Sequence, residues 1–395
     1  MTEKTVKKQN TAQKKKTNYL RSKKIVSLIF MAAAALFILF VDIFLLFSHD
    51  REFSETENRV LHTAPALTGS SLTSGKFMTE AEGFVADQIF GRDAWIRLRL
   101  KADQLEGKKE SNGVYLGKEG YLLEIPKVPD EKHMEQNLAA IREFAREQDV
   151  PVVMTLIPNA ACVCPQYLPD GAPAVDQEAL IRETAQQLEG ALDFADVREV
   201  LSGHNTEELY FRSDHHWTSL GARYAFEAIA PYLDIDPSGV SYSVLKLTDS
   251  FHGTMASASG EFLAADTIEA YIPNEMPQYV VDYPGGYRER SASMYCPDAL
   301  ESRNQYEVFL GGNYPLITIN TTAGTGRRLL LLKDSYANSF LQFLLPWFDM
   351  IQIVDPRYYT EDLRSLMEVN GITDVLILYN VNTFVEDRSL GMVLE

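Results

Sequence analysis

The chain has 395 residues and a formal net charge of −18 at pH 7. Its first 24 residues carry nine Lys or Arg side chains and one Glu, a net charge of +8, which leaves −26 for the remainder. Because phosphate backbones are bound by basic faces, this acidic remainder disfavours a role in nucleic-acid binding.

A run of 23 residues, 25–47, follows the basic segment and contains only two polar side chains, Ser27 and Asp42. As a helix it would reach about 35 Å, enough to cross a bilayer. We predict an uncleaved signal anchor, with residues 1–24 in the cytoplasm and the main domain outside, because positive flanks stay inside. A cleaved signal peptide is the alternative, although the run is long for one and no small-x-small site follows it.

The next elements are short and mostly polar. Residues 48–75 predict a stalk, and the outer domain is expected to begin at residue 76. Apolar residues at helical spacing then predict one or two amphipathic helices within 77–106. Short strands are expected at 113–117 and 120–124, and a helix at 134–148.

From residue 150 the pattern alternates between strands and helices, which predicts an α/β fold with a parallel sheet and crossover helices. A β-rich insertion is expected at about 236–325, where Tyr, Gly, Ser and Thr are frequent. The predicted strands are 150–157, 192–196, 328–332, 350–354 and 374–379, and the predicted helices are 177–188, 336–343 and 361–368.

Three cysteines, Cys162, Cys164 and Cys296, permit at most one internal disulfide. Cys162 and Cys164 are too close to bridge each other easily, so the alternatives are buried thiols or one bridge to Cys296. The spacing supplies no set of four zinc ligands.

The segment Asp214-His215-His216-Trp217 places a carboxylate two residues from an imidazole, in a loop before a helix that Thr218 or Ser219 could cap. A carboxylate that orients a histidine, which in turn activates a serine, performs acyl transfer and ester hydrolysis. If the segment is extended, His215 points away from the face shared by Asp214 and His216. Trp217 is expected to bury its ring beneath the site, or else to stack on a sugar.

Ser335 is the serine that such a pair could activate, because it lies between a predicted strand and a predicted helix. A helix N-terminus offers N–H donors and a positive dipole end to an oxyanion. The alternative is a helix cap. In α/β sheets functional groups collect beyond the carboxyl ends of strands, where Asn159, Arg357 and Asn380 are also expected.

These residues together resemble the bacterial DHHW proteins, which are similar to the alginate O-acetylation proteins of the SGNH-hydrolase-like superfamily. The resemblance covers nearly all of residues 50–395. Besides the tetrad, three segments carry it: Asn58-Arg59-Val60-Leu61, Phe251-His252-Gly253-Thr254 and Lys333-Asp334-Ser335-Tyr336.

The resemblance implies an SGNH-hydrolase-like sheet with a circularly permuted motif order, in which Ser335 is the nucleophile, His216 the base and Asp214 its orienting acid. It also implies oxyanion or substrate contacts on neighbouring strand ends. The candidates for these contacts are Asn380, Arg357, Tyr336, His215 and Trp217. The chain departs from the family pattern at two places. Lys333 stands where a glycine is usual, and the segment 355–358, which follows the second predicted strand counted from Ser335, has no glycine.

The leading hypothesis is a membrane-anchored, extracytoplasmic O-acyltransferase or esterase that acts on cell-surface polysaccharide. It needs no metal or other cofactor, and a membrane-bound O-acyltransferase is the expected acyl donor. The alternative is a non-catalytic glycan-binding or scaffold protein, which the 11% aromatic content also suits. A third hypothesis treats Asp214, His215 and His216 as metal ligands of a phosphoesterase, but the further acidic and histidine clusters of such sites are missing from the sequence.

Overall fold

The structure is a computed structural model that describes residues 3–54, 59–173, 176–262, 264–285 and 289–395, without the side chains of residues 3–21 and 59. The chain forms two compact units. One comprises Met1–Glu55 and Arg59–Leu98, and the other comprises Thr56–Asn58 and Arg99–Glu395.

Among its described residues, the first unit contains a long amino-terminal helix, a two-stranded antiparallel ribbon, two further helices and the first half of a third, which continues into the second unit. Within the described residues, Ser22–Phe47 is the part long and apolar enough to cross a membrane. The helices predicted within 77–106 are confirmed. The bounds are α1 (Glu3–Phe47), β1 (Phe53–Ser54), β2 (Arg59–Val60), α2 (Gly69–Thr73), α3 (Lys76–Gln88) and α4 (Arg92–Leu105). This unit extends to Leu98, whereas we placed the start of the outer domain at residue 76; the division into tail, anchor, stalk and domain stays a prediction.

The second unit is built around an eight-stranded mixed sheet within the described residues. The strands of this unit are β3 (Glu110–Ser111), β4 (Val114–Leu116), β5 (Leu122–Glu124), β6 (Val152–Ile157), β7 (Asp193–Phe194), β8 (Tyr242–Phe251), β9 (Asp266–Pro273), β10 (Tyr279–Asp282), β11 (Arg290–Ser291), β12 (Leu316–Thr321), β13 (Arg328–Lys333), β14 (Met350–Val354) and β15 (Asp374–Asn380). The sheet order is β11-β10-β12-β14-β13-β15-β6-β7. The run from β14 to β7 is parallel, and β12, β10 and β11 continue it in antiparallel fashion.

Helices cover both faces of this sheet. Because side chains alternate along a strand, Leu329 and Leu331 enter one apolar core while Leu330 and Leu332 enter the other. Burial on both faces explains why these strands are continuously apolar. The helices are α5 (Glu131–Glu147), α6 (Ala160–Val163), α7 (Gln177–Leu188), α8 (Arg198–Gly203), α9 (Ser219–Ile229), α10 (Thr254–Ser259), α11 (Ala337–Phe340), α12 (Leu363–Asn370), α13 (Val381–Glu386) and α14 (Ser389–Leu394).

The predicted α/β fold with a parallel sheet and crossover helices is confirmed, with one correction to the region 236–325. It is rich in strands, but β10, β11 and β12 extend the central sheet instead of forming a lobe of their own. Only β8 and β9 form a separate two-stranded ribbon among the described strands of this region. Cys162 and Cys164 are free thiols, so neither forms the alternative bridge to Cys296.

Candidate active site

Ser335 lies two residues beyond the end of β13, which is flanked by the parallel strands β14 and β15. Every side chain from 329 to 345 is buried except that of Ser335, which is half-buried. The helix that follows is short, Ala337–Phe340, with a further 3₁₀ turn over Leu341–Phe343. The local fold therefore presents one hydroxyl at the carboxyl edge of the sheet.

The predicted triad is assembled in space. The Nδ1 atom of His216 lies 2.6 Å from Oδ1 of Asp214, and its Nε2 atom lies 2.8 Å from Oγ of Ser335. With Asp214 ionised, Nδ1 of His216 carries the proton and donates a hydrogen bond to the carboxylate. The Nε2 atom then accepts a hydrogen bond from the serine hydroxyl. Asp214 and His216 are buried, at 1% and 5% exposure.

Burial and charge set the protonation states of this pair. Burial by itself would raise the pKa of Asp214, but the neighbouring His215 and His216, together with its hydrogen bonds, hold that pKa well below its usual range. Burial, with a smaller contribution from His215, lowers the pKa of His216 to about 4, although Asp214 acts in the opposite direction. His216 is thus neutral at neutral pH and able to act as a base.

The start of α10 holds Asp214. The second carboxylate oxygen, Oδ2, accepts hydrogen bonds from the backbone N–H and the hydroxyl of Thr254, at 2.7 and 2.9 Å. A Cβ atom on Gly253 would lie 2.2 Å from Cβ of Asp214, so only glycine permits this approach. The Thr254 hydroxyl also accepts from Nδ1 of His215 at 2.7 Å, if that nitrogen carries the proton.

A second buried carboxylate, Asp266, holds the chain just before Asp214. It accepts from the backbone N–H groups of Arg212 and Ser213, both at 2.8 Å, and from the Ser213 hydroxyl at 2.5 Å. The Ser213 oxygen in turn accepts from the backbone N–H of Gly253 at 3.0 Å. The buried carboxylates of Asp214 and Asp266 therefore hold the loop that carries His216.

Aromatic rings enclose the base. The ring of Tyr306 stacks on that of His216 with centroids 3.8 Å apart and an interplanar angle of 13°, and its hydroxyl donates to the Ser335 carbonyl at 3.1 Å. Trp217 is fully buried beneath the site, as predicted, and its indole N–H donates to the carbonyl of Tyr336 at 2.8 Å. Stacking of Trp217 on a sugar is therefore wrong.

The buried side chain of Asp334 holds the turn around Ser335. The carboxylate of Asp334 accepts from the backbone N–H of Tyr336 at 3.0 Å and from that of Asn380 at 2.9 Å. Among the described residues, the backbone N–H of Ser335 has no hydrogen-bond acceptor, which leaves it available to an oxyanion.

Lys333, which replaces the usual glycine, is completely buried under this turn. Its ammonium donates to the side-chain oxygens of Asn313 and Asn338 at 2.9 and 2.8 Å and lies 3.8 Å from Asp355. Burial lowers the pKa of Lys333 to about 8, against the opposing effect of Asp355.

Some of the residues predicted to contact the oxyanion or the substrate are buried and support the site, whereas others line a cleft. Tyr336 is buried, and its hydroxyl donates to the carbonyl of His215, so the predicted substrate contact through Tyr336 is wrong. His215 does not point away, because residues 212–216 form bends instead of a strand; its ring lies 3.9 Å from that of His216.

Asn380 and Arg357 are occupied within the fold. The Asn380 side chain donates to the carbonyl of Ile157 at 3.0 Å and accepts from the N–H of Asn382 at 2.9 Å, which caps α13. These contacts lend no support to an oxyanion role for Asn380. Arg357 forms a two-pronged ion pair with Asp355, with distances of 2.8 and 2.6 Å.

His215, Arg357 and Asn380 nevertheless line one cleft of about 520 Å³, together with Glu124 and residues between 382 and 392. We call it the strand-end cleft. It adjoins the triad, because the ring of His215 contacts that of His216. A cleft that places several polar side chains beside a hydrogen-bonded Ser-His-Asp set is a candidate binding site.

Asp214, His215 and His216 also satisfy a distance criterion for metal ligands, with one donor atom from each within 4.8 Å of the others. Their hydrogen bonds account for this proximity: Asp214 is bonded to His216 and Thr254, and His215 to Thr254. The arrangement is explained by the triad.

Four supporting residues, Ser213, Thr254, Asp266 and Tyr306, carried no assigned role in the sequence analysis. Gly253 and Thr254 belong to the segment Phe251-His252-Gly253-Thr254, which resembles the DHHW proteins, so the sequence contained a signal for them. Asp266 and Tyr306 lie 52 and 92 positions beyond Asp214, in irregularly patterned sequence, and only the folded structure reveals their contacts.

Comparison with known proteins is consistent with this geometry. Residues 114–265 match the family described as "SGNH hydrolase-like domain, acetyltransferase AlgX". The matched segment includes Asp214 and His216 but ends before Ser335.

Two curated relatives are probable alginate O-acetylases AlgJ. That of Pseudomonas putida is 27% identical over 173 residues, which is 40% of this chain and 44% of the relative. That of Pseudomonas syringae pv. tomato is 25% identical over 173 residues, which is 40% of this chain and 43% of the relative. The chain therefore spans less than half of the length of these relatives.

Solved structures show the same fold. A DHHW family protein from Eubacterium siraeum is 24% identical, with a TM-score of 0.60 over 72% of this chain and 95% of that one. PatB1 of Bacillus cereus, solved with a sulfonyl adduct, is 21% identical, with a TM-score of 0.58 over 69% of this chain and 95% of that one. The chain thus has an SGNH-hydrolase-like fold, and its resemblance to the DHHW proteins and to the alginate O-acetylation proteins is confirmed.

Proposed function

We propose that this chain is an O-acyltransferase or esterase that acts on cell-surface polysaccharide through Ser335, His216 and Asp214. The observation that carries the proposal is the continuous hydrogen-bonded relay from Asp214 to Ser335, with distances of 2.6 and 2.8 Å. The names of the AlgJ relatives support acetyl transfer to a polysaccharide.

In the first half-reaction, Oγ of Ser335 attacks the carbonyl carbon of the acyl donor while Nε2 of His216 takes the hydroxyl proton. The backbone N–H of Ser335 stabilises the oxyanion. Collapse of the tetrahedral intermediate breaks the bond to the leaving group, which receives the proton from His216. The product is an ester of Ser335.

In the second half-reaction a sugar hydroxyl, or water in an esterase, attacks this ester. His216 takes the proton of the incoming hydroxyl and returns it to Oγ of Ser335 as the acyl group leaves. Transfer and hydrolysis use the same residues and differ in how well water is excluded from the acyl-enzyme.

The apolar helix Ser22–Phe47 supports a single-pass location in the cell membrane. The basic side chains of residues 1–24 favour a cytoplasmic N-terminus, which would place the triad outside the membrane. Soluble acetyl-CoA is lacking there, so we propose that a membrane-bound O-acyltransferase supplies the acyl group.

Hydrolysis of an aryl acetate by the full chain in detergent tests the proposal. We expect His216→Ala to lower kcat/KM by about 10⁴-fold, because the serine then lacks its base. His133→Ala is the matched control, since His133 pairs with Asp130 on the surface of α5, and it should leave the rate unchanged. Equal rates for wild type and His216→Ala would eliminate His216 as the base. Polysaccharide acetylation that persists in Ser335→Ala would favour the non-catalytic glycan-binding alternative.

A further inference from the structure

The strand-end cleft contains charged groups that are already compensated. The guanidinium of Arg357 is held by both oxygens of the completely buried Asp355, at 2.8 and 2.6 Å. Such a two-pronged pair leaves little of the cation for a ligand carboxylate.

In the outer part of the cleft, one acidic residue is paired with a lysine and another is held by hydroxyl groups. Glu386 is paired with Lys127 at 3.2 Å, with 59% and 42% of their side chains exposed. The carboxylate of Asp387 accepts from the hydroxyls of Tyr379 and Ser389 at 3.1 and 2.5 Å.

Two further charged residues of the lining, Arg388 and Glu124, form no ion pair among the described residues. Arg388 is exposed and has no ion-pair partner among the described residues, but it follows Glu386 and Asp387 directly in the chain. Glu124 comes from a distant part of the sequence and adds a negative charge to the lining. Its carboxylate accepts a hydrogen bond from the side chain of Asn159 at 3.0 Å. The cleft is therefore close to neutral, with a small excess of acid.

We infer that the strand-end cleft binds the acceptor as an uncharged, hydroxyl-rich saccharide segment and selects against polymers of uronic acids. This inference rests on the proposed function. The exposed side chains of Glu386 and Arg388 and the half-buried hydroxyl of Ser389 give the cleft groups that exchange hydrogen bonds with sugar hydroxyls. The amides of Asn380 and Asn382 also line the cleft, but they are buried and hydrogen-bonded within the fold.

The charge of the whole outer chain acts in the same direction. The net charge of −26 after residue 24 repels a polyanion before it reaches the cleft. Alginate is a polymer of uronic acids, so the inferred acceptor differs from the one in the names of the AlgJ relatives.

Acceptor competition tests the inference. The full chain in detergent receives an aryl acetate as donor and either a neutral malto-oligosaccharide or an oligogalacturonate of the same length as acceptor. We expect at least about tenfold more acetyl transfer to the neutral oligosaccharide at low ionic strength, and a smaller ratio in about 0.5 M NaCl, where surface charge is screened. Equal or greater transfer to the uronate would overturn the inference.

A charge reversal inside the cleft and a matched one outside it separate local from overall charge. Glu386→Lys should raise transfer to the uronate relative to the neutral acceptor severalfold. Glu368→Lys changes the net charge equally on the exposed face of α12, outside the cleft, and should alter the ratio less. Equal changes in both variants would contradict a role for the cleft.

Hydrolysis of the aryl acetate without acceptor distinguishes failure of the proposed function from failure of the inference about the acceptor. If it continues in Ser335→Ala, the proposed function fails. If it requires Ser335 but the uronate is the better acceptor, only the inference about the acceptor fails.

Discussion

The nucleophile turn, residues 333–336, and the histidine loop, residues 210–217, meet at the same site but are held by different forces. The turn continues β13, whose backbone is paired on both sides by β14 and β15. The loop has no strand of its own beyond a single bridge between Tyr210 and Trp217. Buried carboxylates, one glycine and one threonine hold it instead.

The histidine loop is the more vulnerable of the two segments. A sheet spreads the positioning of Ser335 over many backbone hydrogen bonds, and the buried Asp334 carboxylate adds two contacts to the backbone N–H groups of Tyr336 and Asn380. The loss of a side chain other than Asp334 should therefore change the turn little. The position of His216 depends on a few buried polar groups, each of which is costly to leave without a partner. We therefore expect larger losses of activity from polar substitutions around the loop than from those beneath the turn.

The largest effect is expected for Asp214→Asn. An asparagine cannot accept from Nδ1 of His216 in the same way, and a flipped tautomer would place the proton on Nε2, where it blocks the base. We expect kcat/KM for aryl acetate hydrolysis to fall by about 10⁴-fold. Asp170→Asn, which removes an exposed carboxylate paired with Lys118, is the control and should stay within about twofold. A loss below about tenfold in Asp214→Asn would show that the acid does not orient the base.

A smaller effect is expected for Thr254→Val, which keeps the shape of the side chain but removes the hydroxyl bonded to Asp214 and His215. The unpaired groups should cost about 1–3 kcal/mol, or roughly 5- to 150-fold in kcat/KM. Thr254→Ser restores the hydroxyl and should recover most of the rate. If Thr254→Ser is as slow as Thr254→Val, the hydroxyl is not what holds Asp214.

The pH profile tests the environment of the loop. Because burial lowers the pKa of His216 to about 4, the base stays neutral and active down to that pH. At pH 5.5 the enzyme should retain nearly its full kcat/KM, whereas an imidazole with the ordinary pKa of about 6.5 would retain about a tenth. An acid limb near 6.5 would contradict a buried, neutral His216.

The smallest effect on activity is expected for Lys333→Met, which removes a buried cation beneath the nucleophile turn. We expect kcat/KM to change by less than about tenfold, because β13 and its neighbours hold Ser335. A loss larger than that of Thr254→Val would reverse the comparison between the turn and the loop.

Lys333→Met also has a signature in stability. The pKa of Lys333 is about 8 in the folded chain and about 10.4 when unfolded, so the unfolded state binds more protons between these values. Wild type should gain on the order of 3 kcal/mol relative to Lys333→Met as pH rises from about 8 to about 10.4, and lose the same amount as pH falls back to about 8. Thermal unfolding of both proteins from pH 7 to 10 measures this; a constant difference in Tm would show that the ammonium is not destabilised by burial.

Much of the fold was predictable because its signals are local. The continuous apolar runs that form β6, β13, β14 and β15 are typical of strands buried on both faces, and the structure confirms them. The pairing of β10 and β12 with the parallel strands was not predictable, because short strands with mixed side chains do not reveal which sheet edge they join.

The site divides in the same way. Asp214, His216 and Ser335 were predictable from residue types and from the resemblance to the DHHW proteins. Asp266 and Tyr306 were not, because their roles arise from contacts across long stretches of chain. The prediction that His215 points away assumed an extended segment, whereas residues 212–216 form bends, and bends leave no periodic pattern in a sequence.

The most direct test of the triad is peptide mapping of the full chain after brief exposure to an aryl acetate at neutral pH. We predict an acetyl group on Ser335 in wild type, none at that position in Ser335→Ala, and far slower acetylation of Ser335 in His216→Ala. Acetyl label on another residue that persists in Ser335→Ala, or equal labelling of Ser335 with and without His216, would contradict the proposed catalytic triad.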